Sequence, residues 1–75
     1  MNRKILEIAA KTIKSSVEDA EKHNKYLDDL GAYYFWNPSR GGISVIIRES
    51  GEKLAATSSI SLEKHKLAFA SGKRN

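Results

Sequence analysis

The sequence contains no cysteine, which excludes every chemistry that depends on a thiol. A disulfide framework, a zinc site with cysteine ligands and a cysteine nucleophile are all ruled out, so packing alone must stabilise the fold. A chain without cysteine suits a reducing compartment, and we expect a cytoplasmic location. Glu7 and Lys11 interrupt the apolar pattern near the N-terminus, where a signal peptide would need an unbroken apolar run.

Long apolar runs and catalytic motifs are also missing. No stretch approaches the roughly 20 apolar residues of a membrane-spanning helix, so we expect no membrane partner. Neither His23 nor His65 has a second ligand residue at i+4, and no phosphate loop or Gly-x-Ser-x-Gly motif occurs. Asp28 and Asp29 would point about 100° apart on a helix and would not act as a pair. The sequence therefore predicts no catalytic residue, no metal site and no cofactor, with both histidines on the surface.

What the sequence does contain is enough for one small domain, residues 1–75. Hydrophobic residues make up 40% and charged residues 29%, which is typical of a folded protein. Residues 1–30 carry six cations and six acids, whereas residues 31–75 carry seven cations and three acids. The net charge of +4 thus lies in the second part and would favour an anionic partner if the cations shared one face. Ordinary solubility is the simpler explanation.

Apolar residues recur at helical spacing from residue 2 to residue 30, and the pattern predicts one long amphipathic helix ended by Gly31. The repeating positions are Leu6, Ala10, Ile13, Val17, Ala20, Asn24 and Leu27. Ser15 and Glu18 have the spacing of a capping box, so the alternative is a break near residues 15–16 into two shorter helices. The apolar pattern keeps its phase through the serines, which favours a single helix.

Turn residues divide the next part of the chain, residues 32–58, into three predicted strands. Residues 32–37 are largely aromatic, residues 43–48 are rich in β-branched side chains, and a turn at 49–52 leads into the third strand. Ser61 is expected to cap a helix over residues 62–71, followed by a loose basic tail, residues 72–75. The predicted fold class is α+β: a two-layer αβββα sandwich in which a three-stranded antiparallel meander carries both helices on one face.

The loop of the first hairpin is one candidate binding site. Gly41 and Gly42 allow positive φ, so their amides could converge on an anion, and Arg40 could clamp a phosphate or a carboxylate. A hairpin loop that needs glycine only for its turn is the competing interpretation.

The outer face of the predicted sheet is the second candidate site. If both helices cover one face, the other exposes Ile46 together with either the pair Tyr33 and Phe35 or the pair Tyr34 and Trp36. We select Tyr34 and Trp36, with the neighbouring Arg48, as candidate partner-binding residues, because interfaces favour tyrosine and tryptophan. The competing interpretation is that the long helix wraps around the sheet and covers the aromatic residues.

These features favour a non-enzymatic protein-interaction module. A helix of 28 residues would extend about 42 Å, twice the length of the strands, so we also expect a homodimer. The alternative is nucleic-acid binding, with Tyr34 or Trp36 stacked on a base. The cations that would contact phosphates are Arg40, Arg48, Lys53 and Lys64. An enzyme built around His65 is the third possibility.

Overall fold

Four strands and three helices make up the part of the chain that the computed structural model describes, residues 2–38, 42–57 and 59–74. In chain order they are α1 (Arg3–Thr12), α2 (Val17–Lys22), β1 (Asn24–Leu27), β2 (Ala32–Trp36), β3 (Ile43–Ile47), β4 (Lys53–Thr57) and α3 (Leu62–Ala70). The strands form one antiparallel sheet in the order β1-β2-β3-β4. The prediction of an α+β fold with an antiparallel sheet is confirmed. None of the helices in these ranges is long and apolar enough to cross a membrane.

The prediction of one continuous helix over residues 2–30 is wrong, because the chain turns directly after α1. Lys14 has a φ of 59°, a left-handed conformation that few residues other than glycine adopt. The amide of Ser15 donates to the carbonyl oxygen of Ala10 at 2.9 Å, which closes the helix with a Schellman motif. The alternative, a break near residues 15–16, is the structure observed. Up to Ala20 the apolar residues of the pattern contribute to one core, because α1 and α2 pack in the same layer.

The second helix is short, and the chain leaves it as a strand. Ser16 caps α2, since its Oγ accepts a hydrogen bond from the amide of Asp19 at 3.1 Å. At the other end the side-chain amide of Asn24 donates to the carbonyl oxygen of Ala20, also at 3.1 Å. Residues 24–27, which we expected in the helix, form β1 instead.

The sheet therefore has four strands rather than the three predicted. Leu27 of β1 pairs with Ala32 of β2 across a turn in which Gly31 has a φ of 59°. Gly31 was expected to end a helix, but its positive φ serves this hairpin turn. The three predicted strands coincide with β2, β3 and β4, and Ser61 caps α3 by accepting the amide hydrogen of Lys64 at 3.3 Å, as predicted.

The helices lie on opposite faces of the sheet, so the predicted two-layer arrangement with both on one face is wrong. Val45 and Ile47 of β3 pack in the core that contains α1 and α2. Ile46, between them, packs against Phe69 of α3. Successive side chains on a strand point to opposite faces, so the sheet forms the middle of three layers.

The larger of the two cores lies between the sheet and the layer of α1 and α2. Its buried residues are Ile5, Leu6, Ala9, Ala10, Ile13, Ala20, Phe35, Val45 and Ile47. The smaller core, under α3, consists of Leu27, Ala32, Ile46 and Phe69. Both sides of the sheet are thus stabilised by apolar burial, with the larger share on the side of the N-terminal helices.

The chain after α3 is held against the protein over its described part, residues 72–74, so the prediction of a loose tail is wrong there. The guanidinium carbon of Arg74 lies 3.8 Å from the ring centroid of Phe69, and its Nη1 donates to the Phe69 carbonyl oxygen at 2.8 Å. Its Nη2 lies 3.2 Å from Oε1 of Glu52. Arg74 thereby covers the outer side of the smaller core.

Candidate functional site

The third helix is too narrow to cover the sheet face on which it lies. Strands spaced about 4.8 Å apart place β1 and β4 about 14 Å from each other, whereas a helix with its side chains is about 10–12 Å wide. α3 contacts β3 and β4, which leaves part of β1 and β2 without a helix above it. His23, Lys25, Tyr34 and Trp36 are neighbours there, and we call these four residues the aromatic patch.

The rings of the aromatic patch support one another. The ring centroids of Tyr34 and Trp36 lie 5.6 Å apart at an interplanar angle of 27°, a stacked arrangement. His23 meets Trp36 edge-on at 6.0 Å. Its Nδ1 also lies 2.8 Å from the carbonyl oxygen of Asp19, which fixes the ring at the end of α2. All three rings are half-buried, so they present preorganised apolar surface to solvent.

A pocket of about 190 Å³ opens at the end of the patch. Its lining residues are Tyr34, Trp36, Asn37, Gly42, Ile43, Ser44 and Ile60. Ile60 lies in the loop before α3 and is 41% exposed, although it is a large aliphatic residue. We did not predict a role for it. The available signal was its position as a single apolar residue between serines in a polar connection.

Two of the candidate residues from the hairpin, Tyr34 and Trp36, form the wall of this pocket, and Gly42 is a buried part of its lining. Arg40 and Gly41 lie outside the described residues. Their predicted anion site therefore stays a prediction.

Ile46 does not belong to the exposed surface. Its side chain is fully buried under α3, where it packs with Phe69, so it is unavailable to a partner. The prediction that it forms part of an exposed patch rested on placing both helices on the other face.

Arg48 is engaged inside the protein rather than at the patch. Its guanidinium carbon lies 5.0 Å from the Phe69 ring centroid, its Nε donates to the Leu30 carbonyl oxygen at 3.4 Å, and its Nη1 lies 3.7 Å from Oε2 of Glu52. Glu52 also binds Arg74. Hydrogen bonds from Ser50 and then from Arg74 lower the pKa of the Glu52 carboxyl below its ordinary value. Arg48 thus stabilises the smaller core, which leaves it poorly placed for a phosphate.

His65 is a buried residue, and its interpretation as a surface histidine is wrong. Only 1% of it is exposed, because it points from α3 to the sheet. Its Nδ1 lies 3.3 Å from Oγ of Ser44, and its Nε2 lies 2.6 Å from the carbonyl oxygen of Leu54. Both ring nitrogens therefore have partners within the fold. Its spacing from Leu62 and Phe69, three and four residues along the helix, was the signal for burial.

The two adjacent aspartates lie in the turn between β1 and β2. Asp29 forms an ion pair of 2.8 Å with Nζ of Lys66 on α3, and that hydrogen bond lowers the pKa of the Asp29 carboxyl and raises the pKa of Lys66. The pair ties the turn to α3. Within the described residues no group of three or more histidine, aspartate or glutamate side chains is placed to hold a metal ion.

No protein-family model, curated protein or solved structure matches this chain. The aromatic patch and the pocket beside it are therefore the features of this chain that bear on its function.

Proposed function

We propose that the protein is a non-enzymatic interaction module that binds another protein through the aromatic patch and the adjoining pocket. The observation that carries this proposal is the half-buried stack of Tyr34 and Trp36 beside the exposed Ile60. Aromatic residues beside a preformed depression are frequent anchors of protein interfaces. The proposal assigns no catalytic role to His65 or Ser44, in line with their mutual hydrogen bond and the bond from His65 to β4.

A selection of displayed random peptides against the folded protein tests this proposal. We expect peptides that bind the wild type and lose about 2 kcal/mol or more of binding free energy to the Trp36→Ala variant, as for a buried anchor. Tyr26→Ala is the matched control, because Tyr26 is a 51% exposed aromatic residue on the opposite face of the sheet. If the selected peptides bind the Trp36→Ala variant as tightly as the Tyr26→Ala variant, the interface lies elsewhere and the proposal is refuted.

Nucleic-acid binding is the second candidate, and Lys25 is the observation that favours it. Lys25 pairs with Tyr34 across β1 and β2, so a cation stands beside an aromatic ring, as single-strand binding requires. Of the predicted phosphate contacts, however, Arg48 is held by Glu52 and Phe69. Titration with labelled single-stranded and duplex oligonucleotides at two salt concentrations separates the candidates. We expect nothing tighter than the ~10⁻⁴ to 10⁻⁶ M of non-specific contact, and nanomolar, salt-sensitive binding would reverse the ranking.

A further inference from the structure

We infer that the pocket beside Trp36 receives one large apolar side chain from a partner segment whose neighbouring residues are acidic. This inference rests on the proposed function and adds the chemistry of the partner. It follows from the size of the pocket, from its lining, and from the distribution of charge on the surrounding sheet surface.

The pocket is small for a cofactor or metabolite. Sites for small molecules enclose about 300–1,000 Å³, whereas this pocket has about 190 Å³. Trp36, Tyr34 and Ile60 supply apolar walls, and Asn37 and Ser44 supply polar edges. The side-chain amide of Asn37 already donates to the Ile13 carbonyl oxygen at 2.8 Å, so that wall is fixed before anything binds. A pocket of this size with rigid walls suits a single side chain as an anchor.

Among the described residues, the two rows of side chains next to the pocket contain no carboxylate. Strand pairing fixes the order of these two rows as His23, Trp36, Ser44 and Ala56 in one and Lys25, Tyr34, Ile46 and Leu54 in the next. A third row, which starts with Leu27 and Ala32, lies farther from the pocket. The groups with basic character, His23 and Lys25, both lie at the open side, at the outer strand. A segment that reaches the pocket across β1 must therefore pass them, and acidic residues are favoured there.

The carboxylate of Asp29, in the turn after β1, is already engaged by a cation of α3. Asp29 binds Nζ of Lys66 at 2.8 Å, and Glu63 also raises the pKa of Lys66 through its negative charge. Lys25 is exposed and forms no ion pair with any of the described residues. Its charge is thus available to a partner.

Three synthetic peptides test the inference with wild-type protein. The first has a phenylalanine flanked by two glutamates on each side, the second has the same phenylalanine flanked by lysines, and the third has glutamates around an alanine. Trp36 is the only tryptophan in the chain, so its fluorescence reports occupancy of the pocket directly. We expect the glutamate–phenylalanine peptide to bind about tenfold more tightly than the lysine peptide, and the alanine peptide to give no saturable change.

Charge reversal on the protein supplies the second arm. Lys25→Glu should remove or invert the preference between the two phenylalanine peptides. Lys11→Glu is the matched control, since it makes the same change of charge on α1, on the opposite face of the sheet, and should leave the preference unchanged. Equal binding of both phenylalanine peptides, dependent on Trp36, would overturn the acidic partner and leave the proposed function standing. Absence of any saturable signal up to millimolar peptide would overturn the pocket as an anchor site.

Discussion

The Nε2 atom of His65 donates a hydrogen bond of 2.6 Å to the carbonyl oxygen of Leu54. A carbonyl oxygen only accepts, so Nε2 carries the hydrogen of this bond. The Nδ1 atom lies 3.3 Å from Oγ of Ser44, and the Ser44 hydroxyl also donates to the carbonyl oxygen of Ala56 at 3.5 Å. α3 is therefore joined to β3 and β4 by a buried polar chain in addition to its apolar contacts.

His65→Gln should reduce the free energy of unfolding by about 1–3 kcal/mol, because a buried polar group loses its partner. Urea denaturation followed by circular dichroism measures this, with the slope checked for constancy. His23→Gln is the control, since His23 is half-exposed, and we expect a change within about 0.5 kcal/mol. Equal midpoints for His65→Gln and the wild type would contradict the buried network.

Lys14→Gly should raise the stability by up to about 1 kcal/mol. Lys14 has a φ of 59°, which costs a residue with a Cβ atom more than it costs glycine. The same substitution at Lys11, in the last turn of α1, should instead lower stability by about 1 kcal/mol, because glycine weakens a helix. Thermal denaturation of the two variants gives the signs. Destabilisation by both would show that Lys14 contributes contacts worth more than its backbone strain.

The ion pair between Asp29 and Lys66 should make stability depend on acid. Since the Lys66 hydrogen bond holds the folded pKa of Asp29 below its ordinary value of 3.8, the stabilisation is complete above that pH and is lost as the pH falls through the folded pKa. Lys66 has a raised pKa, so its contribution is lost only as the pH rises beyond 10.5. The difference in stability between wild type and Asp29→Asn should therefore be flat near neutrality and shrink in acid. Asp28→Asn, at an exposed neighbouring aspartate, is the control. An equal acid dependence in both variants would assign the effect to other groups.

Self-association remains a prediction, but the contact surface that supports it is different. A projecting long helix no longer supports it, since α1 has 10 residues and packs on the sheet. We now base it on the aromatic patch as the contact surface. Sedimentation at tens of micromolar should give about twice the 8.4 kDa of the monomer, and both Trp36→Ala and an excess of the glutamate–phenylalanine peptide should restore the monomer. A wild-type monomer at that concentration would end this prediction.

The parts of the fold that could be predicted are those determined by local sequence signals, such as turn and capping residues. Gly42 and Gly51 lie in the turns on either side of β3, Ile43, Val45 and Ile47 alternate along the face of β3 that packs against α1 and α2, and Ser61 marks the start of α3. These signals are short in range and act within a single element, so no tertiary information was needed to interpret them.

The N-terminal segment could not be predicted in the same way. Lys14 gives no signal for a left-handed residue, and Asn24 and Leu27 continue a helical spacing by coincidence while they lie in a strand. Pairing with β2 is a tertiary contact that overrides the local pattern. Because the prediction lacked the fourth strand, it also underestimated the width of the sheet. The four-stranded sheet is wide enough to carry a helix layer on each face.

The sequence indicated only some of the residues of the candidate site. The aromatic composition of β2 indicated Tyr34 and Trp36 as candidate residues. Which residues of this sheet face are covered, however, depends on where α3 crosses the sheet. Ile46 and Arg48 lie under α3 or against Phe69, whereas Trp36 lies beyond its edge.

Arg48 and Arg74 both pack on Phe69, so the smaller core can form only after the C-terminal residues have been synthesised. The fully buried residues of the larger core all precede residue 48, and the half-buried Ala55 of β4 joins them soon afterwards. Ile46 and Leu54 must wait until residues 62–74 emerge, and until then they face water. A nascent chain paused between β4 and α3 would thus display a bare apolar sheet face, which is the form most exposed to chaperones and to aggregation.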